Sequence, residues 1–138
     1  MMTSLFSALE NEVFVCGQVA PGDLAGLAAQ GFAWVVNHRP DGEDFGQPVS
    51  ATLAEAATAA GLSYAHIPVR GVPDLEAVEG TARVLAERED KAKVLMFCRS
   101  GMRSAACWAL ARRLDGADPA RLRETAASAG YDLNRLPL

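Results

Sequence analysis

Val94-Leu95-Met96-Phe97 is a near-continuous apolar run with no polar alternation. A strand of that kind must be covered on both faces, as in a parallel sheet with helices above and below it. Directly after it come Cys98-Arg99-Ser100-Gly101-Met102-Arg103-Ser104, and then a helical stretch through Ala105, Leu110 and Leu114. Strand, tight loop and helix in succession place a cysteine, a glycine and two arginines at the carboxyl edge of a sheet. In open α/β folds that edge is where helix N-termini face ligands.

The rest of the chain alternates in the same way. Val13-Phe14-Val15-Cys16, Phe32 to Asn37 and Ser63 to Val69 read as further strands. A helix opens at Pro21 and Asp23, repeats Leu24, Leu27 and Ala28, and closes at Gly31. A second is expected from about Thr52 to Ala60, with Thr52 and Glu55 in capping-box spacing. A third begins at Pro73 and Asp74 with Leu75, Val78, Ala82 and Leu85 on one face, and Asp118-Pro119 starts the last. A polar loop from Arg39 to about Pro48, expected to be mobile, separates the second strand from its helix. The fold class is therefore α/β: a single domain over residues 1–138, with a central, mostly parallel sheet of about four to five strands flanked by helices.

Composition narrows the function. The chain has 138 residues, half of them hydrophobic and 22% charged, which excludes a disordered or collagen-like protein. A formal charge of -4 argues against coating nucleic acid. No run reaches the roughly 18 apolar residues that span a bilayer, and Met1–Leu9 has neither a basic start nor a long apolar stretch. The expectation is a cytoplasmic protein without a signal peptide, with no nucleic-acid or membrane partner. Three cysteines, none in a CxxC pair, indicate neither a disulfide framework nor a zinc knuckle. His38 and His66 lack metal-ligand spacing, so neither a metal nor any cofactor is expected.

The thiol to explain is Cys98. A tight loop turns successive N–H groups inward as an anion nest, and Gly101 supplies a backbone angle disfavoured for other residues. Such surroundings favour thiolate, the nucleophilic form. Arg103 is placed to hold an anionic group in a bidentate fork, and the Ser104 hydroxyl to hydrogen-bond the sulfur. Arg99, Ser100 and Met102 complete the loop, while Gln18 and Arg39 follow neighbouring strands and are expected to line the pocket. Cys16 and Cys107 read as packing residues, as do Trp34 and Trp108.

Four segments carry a wider resemblance: Val15-Cys16-Gly17-Gln18, Asn37-His38-Arg39-Pro40-Asp41-Gly42-Glu43, His66-Ile67-Pro68-Val69, and Cys98 to Ser104. Over about Val13 to Leu114 the chain resembles the phosphatase-like domain of the bacterial beta-lactamase-hydrolase-like protein family. The resemblance implies a cysteine-phosphatase-like fold with Cys98 as nucleophile, in a family whose members are described as phosphatases or as sulfur transferases.

Loop length bears on that choice. Cysteine phosphatases carry Cys, five residues, then Arg, whereas four residues separate Cys98 from Arg103 here. The shorter ring resembles rhodanese-type sulfur transferases and suits one sulfane sulfur better than a phosphoryl group. Phe97 stands where phosphatase-like relatives usually carry His. Phosphatase chemistry also wants a general acid. Asp74 is the leading candidate, although it also suits the N-cap of its helix, with Asp41 and Glu43 as alternatives. The leading expectation is a sulfur transferase forming a persulfide on Cys98. It would take sulfur from a small sulfane donor and pass it to a thiol acceptor or a persulfide-consuming enzyme. The alternative is a phosphatase acting through a phosphocysteine, and a third reading is a silent module that binds anions or reactive sulfur.

Overall fold

The structure, a computed structural model, describes residues 6–138. The part of the Met1–Leu9 reading that concerns residues 1–5 lies outside those described. Strands β1 (Ser7–Glu10), β2 (Val13–Cys16), β3 (Phe32–Asn37), β4 (Ser63–His66) and β5 (Lys93–Phe97) form one sheet in the order β1-β2-β5-β3-β4. Only β1 runs antiparallel to its neighbour; the other pairings are parallel. Helices α1 (Leu24–Ala29) and α2 (Ser50–Ala59) cover one face, and α3 (Leu75–Glu87), α4 (Met102–Leu114) and α5 (Pro119–Ser128) cover the other.

The apolar run of β5 divides between the two faces as a central strand requires. Val94 and Met96 join the core beneath α3 to α5, while Leu95 and Phe97 join Leu24, Leu27 and Leu53 beneath α1 and α2. All four are fully buried. The chain leaves β2 and β3 toward the α1–α2 face but leaves β5, which lies between them, toward α4 on the opposite face. That reversal opens a crevice at the carboxyl end of β5, where Cys98 sits.

Several local expectations need correction. Strand β1 is an addition to the strands expected: a four-residue edge strand whose exposure shows no clean alternation. Strand β4 stops at His66 rather than Val69 because Pro68 has no N–H for the ladder, although Ile67 and Val69 still donate to the carbonyls of Asn37 and His38. The capping box at Thr52 and Glu55 does not form. Helix α2 starts two residues earlier, and Asp41 Oδ1 accepts from the Ser50 N–H at 2.8 Å, so its leading end is satisfied from a preceding loop. Leu75 is 64% exposed; the buried stripe of α3 runs through Ala77, Val78, Thr81, Val84 and Leu85. The caps at Asp74 and Asp118 do form, each carboxylate accepting an N–H three residues on.

Two leucines test this division. Leu95→Ala should lower unfolding free energy by about 2–5 kcal/mol through lost burial and a residual cavity. Leu75→Ala should change it by less than about 0.5 kcal/mol. Urea titration of both variants reads the difference, and equal losses would contradict the burial pattern.

Candidate active site

Cys98 directly follows β5 and is wholly buried. Its Sγ accepts the Gly101 N–H at 3.1 Å, so the loop curls back over the sulfur. Gly101 is required there twice over. Its φ of +99° is left-handed, and a Cβ would lie 2.2 Å from the Tyr131 hydroxyl oxygen. The Tyr131 hydroxyl in turn donates to the Ser100 carbonyl at 3.3 Å, bracing the loop from the C-terminal segment. On the other side, a Cβ on Gly17 would stand 2.9 Å from the Arg99 carbonyl oxygen, and the Gln18 N–H donates to that oxygen. The segment after β2 thus packs directly on the loop.

The arginines are not a bare cationic basin. Arg103 Nη1 and Nη2 donate to the two Glu43 carboxylate oxygens at 2.7 and 2.9 Å, and Nη1 also donates to the Val69 carbonyl. The bidentate fork expected to hold a substrate anion therefore holds an internal carboxylate. Arg39, only 4% exposed, donates to Glu43, Gln18 and Asp44 at 2.9, 3.0 and 2.6 Å. Arg99, mostly exposed, pairs with Asp44 at 3.4 Å. The loop expected to be mobile is thus strapped to the site by Glu43 and Asp44. Its first turn is set by the Asn37 side chain, which accepts the Arg39 N–H at 2.8 Å.

Behind the loop lies a buried polar line that sequence reasoning missed. The His38 ring is fully buried, with Nδ1 2.8 Å from Ser104 Oγ and Nε2 2.9 Å from Thr81 Oγ1. Thr81 gives its one proton to the Ala77 carbonyl. It must therefore accept from His38 Nε2–H, which leaves Nδ1 of the neutral ring to accept from Ser104. Burial first, then the nearby Arg103 charge and His66, push the His38 pKa down to about 3, which keeps the ring neutral. The Ser104 proton is therefore directed at His38 and not at the Cys98 sulfur, against expectation. His66 Nε2–H donates to the Arg39 carbonyl at 2.8 Å, consistent with a packed, hydrogen-bonded residue.

The three candidate acids are all committed elsewhere. Asp74 caps α3, and Asp41 caps α2. Glu43 has its pKa lowered to about 2, chiefly by the Arg103 hydrogen bonds and then by Arg39, so near neutral pH it carries no proton to give. Cys16 and Cys107 are buried, and burial raises both thiols to about 12. They pack, as expected. The signal that could have found the missed residues is weak: His38 directly follows the apolar strand β3, and Thr81 falls on the buried stripe of α3.

A cysteine at the end of a central parallel strand, with an arginine opening the next helix, defines a cysteine-phosphatase-like α/β domain. Solved structures share that fold. A Neisseria meningitidis Z2491 protein described as a candidate phosphatase superposes with a TM-score of 0.80 at 25% identity, over 94% of this chain and 91% of that one. Tk-PTP in its active form gives 0.75 at 21% identity, over 91% and 84%. Kinase associated phosphatase gives 0.74 at 17%, over 91% and 82%; these last two likenesses concern the fold alone.

Residues 6–115 match the family described as beta-lactamase hydrolase-like protein, phosphatase-like domain, and the chain belongs to that family. It is 37% identical over 109 residues to a beta-lactamase hydrolase-like protein of Agrobacterium fabrum C58, covering 78% of this chain and 25% of that protein. It is 33% identical over 133 residues to one of Xylella fastidiosa Temecula1, covering 92% and 30%. The chain thus spans less than a third of the length of these relatives. The family description and the name of the Neisseria protein fit the phosphatase alternative better than the sulfur transfer expected first.

The His38 and Glu43 shifts give a pH dependence of stability with the same sign. An unfolded His38 takes up its proton near pH 6.5, but the folded ring resists until about 3, so stability falls as pH drops through that interval. Glu43, lowered from 4.5 to about 2, stabilises the fold above about pH 4.5 and loses that contribution as pH falls toward 2. Melting temperature should therefore decline from pH 7 to 4. His38→Leu should be less stable at pH 7, because Ser104 and Thr81 lose a buried partner, yet show a flatter decline between pH 6.5 and 4.5. An unchanged slope in that variant would exclude His38 as its source.

Proposed function

We propose that the domain is a sulfur transferase in which the Cys98 thiolate attacks the outer sulfur of a sulfane donor. With thiosulfate, the S–S bond breaks, sulfite departs with the electron pair, and Cys98 is left as a persulfide. Cyanide or a thiol acceptor then takes the outer sulfur and restores the thiolate, a two-step exchange. The observation that carries this reading is the four-residue ring closed tightly on a buried sulfur. Cys98 has no exposed surface, and Gly101 N–H already reaches its Sγ. A single sulfur atom asks less of that ring than a phosphoryl group does. The commitment of Asp74, Asp41 and Glu43 to caps and ion pairs supports it further, because persulfide transfer needs no acid for a thiolate or sulfite leaving group.

The second reading is a phosphatase acting through a phosphocysteine, and the comparisons favour it over sulfur transfer: the family is described as phosphatase-like, and the solved neighbours are described as phosphatases. In that reading Arg103 exchanges Glu43 for phosphoryl oxygens. Partners follow from whichever chemistry holds; for sulfur transfer they are a sulfane donor, a thiol acceptor and an enzyme that consumes the persulfide. No helix among the described residues is long and apolar enough to cross a membrane.

One paired assay separates the readings. The protein and Cys98→Ser are incubated with thiosulfate plus cyanide, and separately with p-nitrophenyl phosphate. We expect Cys98-dependent thiocyanate without phosphate release, with at least about a hundredfold loss in the variant, the scale of removing a nucleophile. Cys98-dependent phosphate release without thiocyanate would overturn sulfur transfer. Neither activity would leave a binding module.

A further inference from the structure

A cleft of about 490 Å³ opens beside the nucleophile loop, within the usual range for a small-molecule site. Val72 and Pro73 from the loop before α3, Met102 and Ala106 on α4, and Leu133 and Leu136 from the C-terminal segment give it apolar walls. Met102 and Arg103, the first two residues of α4, line the cleft and directly follow the loop that starts at Cys98, so the cleft begins where that loop ends. Val72 is 63% exposed and Met102 39%, leaving apolar surface open at the rim. Arg135 and Asp132 also line the cleft; Arg135 has no ion pair among the described residues, whereas Arg103 is held by Glu43 and the Asp132 carboxylate accepts the Asn134 N–H. The cleft thus offers an apolar wall and an unpaired cation next to a buried thiol.

We propose that this cleft binds the organic body of an alkyl or aryl thiosulfonate, with its terminal sulfur directed to Cys98 and Arg135 countering its negative charge. The proposal rests on the sulfur-transfer reading and names its donor class. In the reaction the Cys98 thiolate attacks the terminal sulfur, the sulfur–sulfonyl bond breaks, and the organic sulfinate leaves with the electron pair. Cys98 then carries the persulfide anion; no proton is required. Inorganic thiosulfate presents nothing to the apolar walls, so a carbon chain removed from water there should strengthen binding with each methylene.

The test uses methane-, butane- and hexanethiosulfonate, whose reactive ends are the same. For the unmodified chain, kcat/KM should rise about tenfold from methane to hexane, equivalent to about 1.4 kcal/mol. Val72→Ser, which removes apolar wall without adding charge, should flatten the series by taking away most of the hexane compound's advantage; Val72→Ala serves if that variant folds poorly. Separately, hexanesulfonate, which cannot donate sulfur, should shift the methyl resonances of Val72, Leu133 and Leu136 in Cys98→Ala, with methanesulfonate failing to do so. Cys98-dependent transfer with a flat series would retain sulfur transfer and overturn the cleft. Chain-length-dependent shifts at those methyls without any transfer would retain a binding cleft and overturn the thiosulfonate donor. No shifts and no series would overturn both.

Discussion

Three elements meet at the buried His38 ring. It leaves the end of β3, receives a proton-donating hydroxyl from Ser104 at the start of α4, and donates to Thr81 on α3. Its own backbone N–H donates to the Phe97 carbonyl at 2.8 Å, one residue before the nucleophile. A buried polar line of this kind stabilises only if every member is satisfied, and here each donor and acceptor has its partner. Since Ser104 follows Arg103, the ring also fixes where the arginine fork leaves the helix. The geometry of the loop thus depends on a tautomer set by a threonine 43 residues away.

Charge is closed around the loop in a similar way. Arg39 is almost fully buried, and an unpaired guanidinium there would cost several kcal/mol. Gln18, Glu43 and Asp44 satisfy it, and the same two carboxylates also reach Arg103 and Arg99. Three arginines facing two carboxylates leave a small positive excess in a chain of net charge -4. An incoming anion meets that excess, yet it engages Arg103 only in competition with Glu43.

What the sequence disclosed was what neighbours in sequence decide. The uninterrupted run Val94 to Phe97 announced a doubly covered strand, and Asp74 and Asp118 announced their helices, because burial periodicity and capping are local. The loop Cys98 to Ser104 was legible for the same reason. Contacts between distant residues were not. Asp41 reads as a possible acid until the fold brings the start of α2 against it, and Glu43 meets Arg103 across 60 residues. Thr81 reads as a polar interruption of a helix face until His38 is seen to need an acceptor there. A short edge strand such as β1 lacks enough residues for its alternation to register at all.

Fold and chemistry come apart at this site. The crevice at the end of β5 follows from topology, and any chain with this strand order presents one; that is why proteins described as phosphatases superpose so well on it. The number of residues between cysteine and arginine follows from nothing in the sheet. With four instead of five, the same strand and helix must be joined by a tighter turn, which here needs Gly101 at φ +99° and drives its N–H onto the sulfur. Overall superposition averages over well more than a hundred positions and is nearly blind to that one residue. The ring of backbone donors facing the thiolate is not, because each donor's direction is set by the turn that holds it. The family's fold therefore places the crevice, while the length of one loop decides which backbone donors face the sulfur inside it.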